Sequence, residues 1–293
     1  MDNLIYIELL GVNNKTACVF IPGGYHTGKS YTETPDGRIG WAKLASNLGY
    51  KVYVTDIPGS GRSPEVDFDT VDSHFIVSEY MKLISNIKGN VILFTHSISG
   101  SFGFKLVEIL GEKISKVVAV EPSMFGNIQE KVVPSLETPE KVIANFKGLD
   151  FELDMTKSSL PTQKVIDRFT TINDNSKKLF PKNKEEYIKN YINSLVPLHP
   201  KLLYELFNIG GSKLKIDDFS KLKKTKFLII SSPDDPLHKE EDPKIVEKLK
   251  SENISVEYWK DGSHGTFGNS HMMMVEKNNQ DIFNEIDSWI KKN

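Results

Sequence analysis

Short apolar runs rich in Val and Ile alternate, at both ends of the chain, with stretches whose apolar positions recur every three or four residues. The runs are Leu4 to Leu9, Ala17 to Ile21, Lys51 to Thr55, Val91 to Thr95, Lys116 to Val120, Lys226 to Ile230 and Ser255 to Trp259. Each is strand-sized and closed by a turn signal. The longer period predicts helices at Trp41 to Leu48, His74 to Ile87, Ile98 to Leu110, Pro243 to Lys250 and Gln280 to Lys291. Strands that are apolar on both faces belong inside a sheet covered on both sides, so the pattern predicts an α/β fold with a mostly parallel sheet flanked by helices.

Between Glu121 and Lys226 the alternation stops. This stretch reads as helix-like, shows no convincing strand and carries Phe146, Phe151, Phe169, Phe180, Tyr187, Tyr191 and Phe207. A structureless loop of that length does not suit a compact domain. The expectation is a helical cap over 122–225, inserted into a core formed by 1–121 and 226–293.

Composition then removes several classes. Lys and Arg number 37 against 39 Asp and Glu, with a formal charge of −2, so the cation surplus that neutralises nucleic-acid phosphates is missing. The one basic knot, Lys221, Lys223, Lys224 and Lys226, reads as a solvated loop before a strand. Cys18 is the sole cysteine and lies in an apolar run, which excludes an intramolecular disulfide and suggests a packed thiol. No apolar run approaches the roughly 18 residues that span a bilayer. The expectation is a soluble, cytoplasmic protein with neither nucleic acid nor membrane as partner; a homodimer stays open.

The candidate chemistry starts at Val91-Ile92-Leu93-Phe94-Thr95-His96-Ser97-Ile98-Ser99-Gly100. Here a strand runs through a sharp turn into a helix with Ser97 at the apex. A nucleophile elbow needs small residues two before and two after the serine, because strand and helix approach closely there. Thr95 and Ser99 fill those positions, and Gly100 and Gly103 keep the helix slim. A serine hydroxyl becomes a useful nucleophile only when an imidazole takes its proton and a carboxylate orients that imidazole. The segment after the last strand offers two histidines, His264 and His271, of which His271, just before the final helix, is preferred.

Three stretches carry a resemblance: Gly268-Asn269-Ser270-His271-Met272-Met273-Met274 with Asn278-Asn279, Thr34-Pro35-Asp36-Gly37-Arg38-Ile39-Gly40-Trp41, and Asp56-Ile57-Pro58-Gly59-Ser60-Gly61-Arg62-Ser63. Together they resemble a bacterial subgroup of serine esterases with the α/β-hydrolase fold, in the N-terminal half and at the C-terminus but not in the cap. The resemblance implies a Ser, His and acid on the C-terminal edge of the sheet. In most of the family the acid follows the seventh strand, where this chain has Asp235. In the subgroup it is a glutamate after the sixth, here Glu121, which is preferred because a carboxylate ending an apolar strand is poorly explained as structure. The oxyanion hole is expected from the amides of Ile98 and Gly24, with Tyr25 in reserve, since Pro22-Gly23 replaces the family's His-Gly pair. The implied reaction is carboxylic ester hydrolysis, with thioesters and lactones as alternatives. No metal or organic cofactor is implied. Tyr25, Met124 and Phe125 are expected near the mouth, suggesting a small-molecule ester with an apolar moiety.

One rival belongs to another class. Gly23-Gly24-Tyr25-His26-Thr27-Gly28-Lys29-Ser30 satisfies the P-loop pattern, and Asp56-Ile57-Pro58-Gly59 imitates a magnesium loop. A P-loop works only when a helix starts at its Gly-Lys-Ser. Pro35, Gly37 and Gly40 stand where that helix would run. A hydrolase scaffold serving as a binding module, cyclase or lyase is a third reading, because fold does not fix reaction; an intact serine, acid and histidine speak against a pure binder.

Overall fold

The computed structural model describes residues 3–11, 16–146, 148–170, 183–235, 238–260 and 262–293; Phe180 lies outside them. A seven-stranded sheet organises the chain. Its strands are β1 (Ile7–Leu10), β2 (Ala17–Ile21), β3 (Lys51–Thr55), β4 (Val91–His96), β5 (Ile114–Val120), β9 (Lys226–Ile230) and β10 (Val256–Trp259). The order is β1-β3-β2-β4-β5-β9-β10, with only β1 antiparallel to its neighbour. Every residue of β2 and β4 is buried, the condition that their unbroken apolar runs imply.

Chain direction decides which face each helix covers. From β2 the chain passes through α1 (Lys29–Thr32) and α2 (Trp41–Asn47) to β3, then returns through α3 (Ser73–Asn86) to β4 on the other side of β2. Right-handed crossovers in opposite directions put α2 and α3 on opposite faces. By the same rule α4 (Ser99–Leu110) and α8 (His238–Ser251) join α3. The final helix α9 (Asn279–Lys292) joins α2: Trp41 donates its indole N–H to the Asn279 carbonyl at 2.7 Å and meets the Phe283 ring at 6.1 Å. The reversal opens a crevice at the C-terminal ends of β2 and β4, where doubly wound sheets hold their ligands.

The segment between β5 and β9 contains helices α5 (Gln163–Phe169), α6 (Lys184–Asn193) and α7 (Pro200–Leu206), but also a three-stranded antiparallel sheet of β6 (Leu136–Glu137), β7 (Lys141–Phe146) and β8 (Leu149–Asp154). The expectation of a purely helical insertion is therefore corrected. In β7 the buried Val142 and Ala144 alternate with more exposed neighbours, a period-two signal only six residues long. The aromatic residues obscured it: Phe146 and Phe151 both pack on Phe207 beyond α7, with ring centroids 5.1 and 4.3 Å away. Among the described residues no helix is long and apolar enough to cross a membrane.

Candidate active site

Ser97 occupies the turn between β4 and α4 with φ +54°, a left-handed conformation that a non-glycine residue adopts only when its surroundings impose it. They do so here. The Ser97 amide donates to the Val120 carbonyl (3.1 Å), and its own carbonyl accepts from the amides of Gly100 and Ser123 (both 2.8 Å). A Cβ on Gly100 would stand 2.6 Å from Pro122 Cβ, and one on Gly103 2.8 Å from Thr95 Cγ2, so only glycine lets α4 lie this close.

His271 is buried in the loop after β10. That loop is built around a carboxylate: buried Glu276 accepts from the amide and hydroxyl of Ser270 and from the Asn269 side-chain amide. Arg38 clamps the same loop by donating to the carbonyls of Val275, Glu276 and Lys277. The Phe169 ring lies nearly parallel to the His271 imidazole at 5.1 Å, and the carbonyl of His271 meets His96 Nε2 at 3.0 Å. His264 stands elsewhere, stacked on Trp259 and facing Glu285.

The preferred acid needs correction. His271 Nδ1 meets Asp235 Oδ2 at 2.5 Å, whereas Glu121 accepts from the Ser232 amide. Since β5 and β9 are neighbours, carboxylates just beyond both strands enter one buried space. Glu121, at φ +45°, is turned toward the β9 loop and His238, whose Nδ1 is 3.9 Å from Glu121 Oε2. Burial opposes ionisation of Asp235, but His238, His271 and Arg168, 3.4 Å away, outweigh it and hold this carboxyl well below the usual range. Burial, and then the charges of Asp235 and Asp242, push Glu121 well above its usual range. Asp235 is thus the more readily ionised of the two carboxyls.

Burial presses His271 down to about 4 although Asp235 pulls the other way, so the imidazole is neutral at pH 7. Its Nε2 is buried and has no hydrogen-bond partner among the described residues. Activity that needs this neutral ring should fall only as the pH drops through about 4, below the ordinary histidine value of about 6.5. A kcat/KM profile from pH 3.5 to 8 checks this, and an acidic limb centred at 6.5 or above would contradict it.

The Gly24 and Ile98 loops adjoin: a Cβ on Gly24 would lie 3.6 Å from Ile98 Cγ2. Neither amide N–H makes a hydrogen bond among the described residues. His26 fixes the loop, its Nδ1 meeting the Gly24 carbonyl at 2.7 Å and its Nε2 the Tyr191 hydroxyl at 2.8 Å. Tyr25, at φ +66°, accepts from the Val196 amide. Phe125 does not reach the mouth, because it is fully buried against Phe104 and Phe219; Met124 is buried beside it. The cleft of about 50 Å³ at Ser97 is lined instead by Ser123, Gln129, Phe146, Arg168, Leu206, Phe207, Lys213, His238 and Glu241. A larger groove of about 560 Å³ along α6 includes neither Ser97 nor His271. Asp235, His238 and His271, or Glu121, His238 and Asp242, lie close enough together to hold a metal ion. Each set already contains a histidine–carboxylate hydrogen bond.

Sequence reasoning missed His26, Arg168, Lys213 and His238. Only His238 left a local trace, its four-residue spacing to Asp242 on α8, where Nδ1 meets Oδ1 at 3.0 Å. The P-loop reading fails on geometry. Helix α1 ends after four residues, the Gly28 amide donates to Asp56, and Asp56 takes two further hydrogen bonds from the Arg62 guanidinium.

The sequence model of the alpha/beta hydrolase family matches residues 18–284. The chain belongs to that family. This hydrolase is 23% identical to a probable secreted lipase of a fungal species, across 98% of this chain and 86% of the relative; that name does not match the cytoplasmic expectation. Among solved structures it resembles an Arabidopsis methylesterase (TM-score 0.63, 16% identity, 95% of this chain and 100% of the other). It also resembles a monoacylglycerol lipase of Paleococcus ferrophilus (TM-score 0.58, 18% identity, 98% of each chain). At such identities the structural likeness speaks for the fold.

Proposed function

We propose that this hydrolase cleaves a carboxylic ester through an acyl-enzyme on Ser97. His271 Nε2 takes the Ser97 proton as Oγ attacks the carbonyl carbon, and Asp235 holds the imidazolium so formed. The amides of Gly24 and Ile98 stabilise the oxyanion. The alcohol leaves with the proton from His271, and water, activated by the same imidazole, releases the acid. The observation that carries this reading is the buried imidazole of His271, with Nδ1 committed to Asp235 and Nε2 unpartnered among the described residues, its ring 4.7 Å from that of His96, the neighbour of Ser97. The fungal lipase and the esterase and lipase folds support an ester as substrate. Phe146, Leu206 and Phe207 offer the apolar wall for its carbon chain, in place of Met124 and Phe125.

A panel of p-nitrophenyl esters of increasing acyl length, with a thioester and a lactone alongside, tests the proposal. Hydrolysis is expected to be fastest for short acyl groups, because the cleft at Ser97 is small. No turnover of any member by folded protein would refute it.

A further inference from the structure

The loop after β2, which carries the Gly24 amide, is held by His26 and by the segment inserted between β5 and β9. The His26 amide donates to the Gly23 carbonyl at 3.3 Å and closes a four-residue turn in which Tyr25, at φ +66°, is the third residue. Two glycines leave such a turn free to swivel, and a tyrosine enters the left-handed region only under outside constraint. A trans peptide points its C=O and N–H in opposite directions. Fixing the Gly23 carbonyl therefore aims the Gly24 N–H, and fixing the Gly24 carbonyl aims the Tyr25 N–H. His26 does both, the first with its own amide and the second with Nδ1, 2.7 Å from the Gly24 oxygen.

The His26 ring has one proton to place. Burial presses its pKa down to about 4, so the ring is neutral at pH 7. A carbonyl oxygen only accepts, which puts the proton on Nδ1 and leaves Nε2 to accept from the Tyr191 hydroxyl at 2.8 Å. Tyr191 stands on α6 and is buried, which raises its pKa well above the usual value and keeps the hydroxyl a donor. The inserted segment touches the loop twice more. The Val196 amide donates to the Tyr25 carbonyl at 2.9 Å, and Leu198 Cδ2 lies 3.0 Å from where a Cβ on Gly24 would stand.

We propose that His26, oriented by Tyr191, is the positioning residue of the oxyanion hole, so that turnover depends on how the inserted segment is seated. The inference rests on the ester-hydrolase reading and names a determinant of rate. An oxyanion develops in both acylation and deacylation but not in the bound ester, so a misaimed donor lowers kcat and leaves KM nearly unchanged.

Turnover of a p-nitrophenyl ester is measured for wild type, Tyr191→Phe, His26→Leu and the double variant, each beside a thermal melt. Removing an oxyanion donor outright costs about 10²- to 10³-fold in kcat. A donor kept but free to swivel should cost less, about tenfold to a hundredfold in His26→Leu and about threefold to tenfold in Tyr191→Phe. Tyr191→Phe should add nothing once residue 26 is leucine. A trifluoromethyl ketone reports on the hole itself: Ser97 Oγ bonds to its carbonyl carbon, His271 takes the serine proton, and the carbonyl oxygen becomes the oxyanion. Its inhibition constant should rise in step with the fall in kcat/KM. Should His26→Leu fail to fold, Tyr191→Phe, which removes a single oxygen, decides by kcat and inhibitor together. Folded variants with wild-type kcat, a lowered kcat with unchanged affinity for the ketone, or a Tyr191→Phe defect that persists beside His26→Leu would overturn the inference and leave the hydrolase reading standing. Failure of the wild type to hydrolyse any ester of the p-nitrophenyl panel would instead bring down the hydrolase reading, and this inference with it.

Discussion

Ser97→Ala is expected to fold as the wild type does and to lose on the order of 10⁴- to 10⁶-fold in kcat on any ester the protein hydrolyses. The backbone at this turn is held by the Val120, Gly100 and Ser123 hydrogen bonds, none of which uses the side chain. Removing Oγ therefore deletes the covalent route and leaves only binding and oxyanion stabilisation. Steady-state turnover beside a thermal melt separates the two effects. Near-normal turnover in a folded variant would show that Ser97 is not the nucleophile.

The two carboxylates should part company just as sharply. Asp235→Asn keeps the shape of the site, but asparagine neither fixes the Nδ1–H tautomer of His271 nor stabilises the imidazolium, so a loss of about 10²- to 10⁴-fold in kcat is expected. Glu121→Gln should cost less than about tenfold, because glutamine retains an oxygen for the Ser232 amide and replaces a carboxyl whose ionised form burial already disfavours. Both variants are measured on one substrate at one pH. A severe defect in Glu121→Gln with near-normal Asp235→Asn would reverse the assignment.

That pair also shows where the sequence ran out. The turn at Ser97 was legible because a small residue on each side of a strand–helix junction is a local signal, and the absence of a P-loop helix because Pro35, Gly37 and Gly40 forbid it locally. The choice between Glu121 and Asp235 depends on which of two carboxylates beyond adjacent strands turns toward one imidazole. The two differ in backbone rotation and in their neighbours Ser232, His238 and Arg168, not in any spacing along the chain. The same limit hid the β6–β8 sheet, whose alternation is only a few residues long, and misplaced Phe125, whose ring faces the core behind α4. The cations of the cleft come from α5, α8 and the loop after α7, and no one-dimensional pattern joins them.

Covalent capture tests the central claim most directly. The wild-type protein is treated with a fluorophosphonate, digested, and mapped by mass spectrometry. One label per chain is expected, on the peptide containing Ser97, formed rapidly in wild type and slowly in Asp235→Asn. A label on Ser123 or another serine, or none on folded protein that hydrolyses esters, would contradict it.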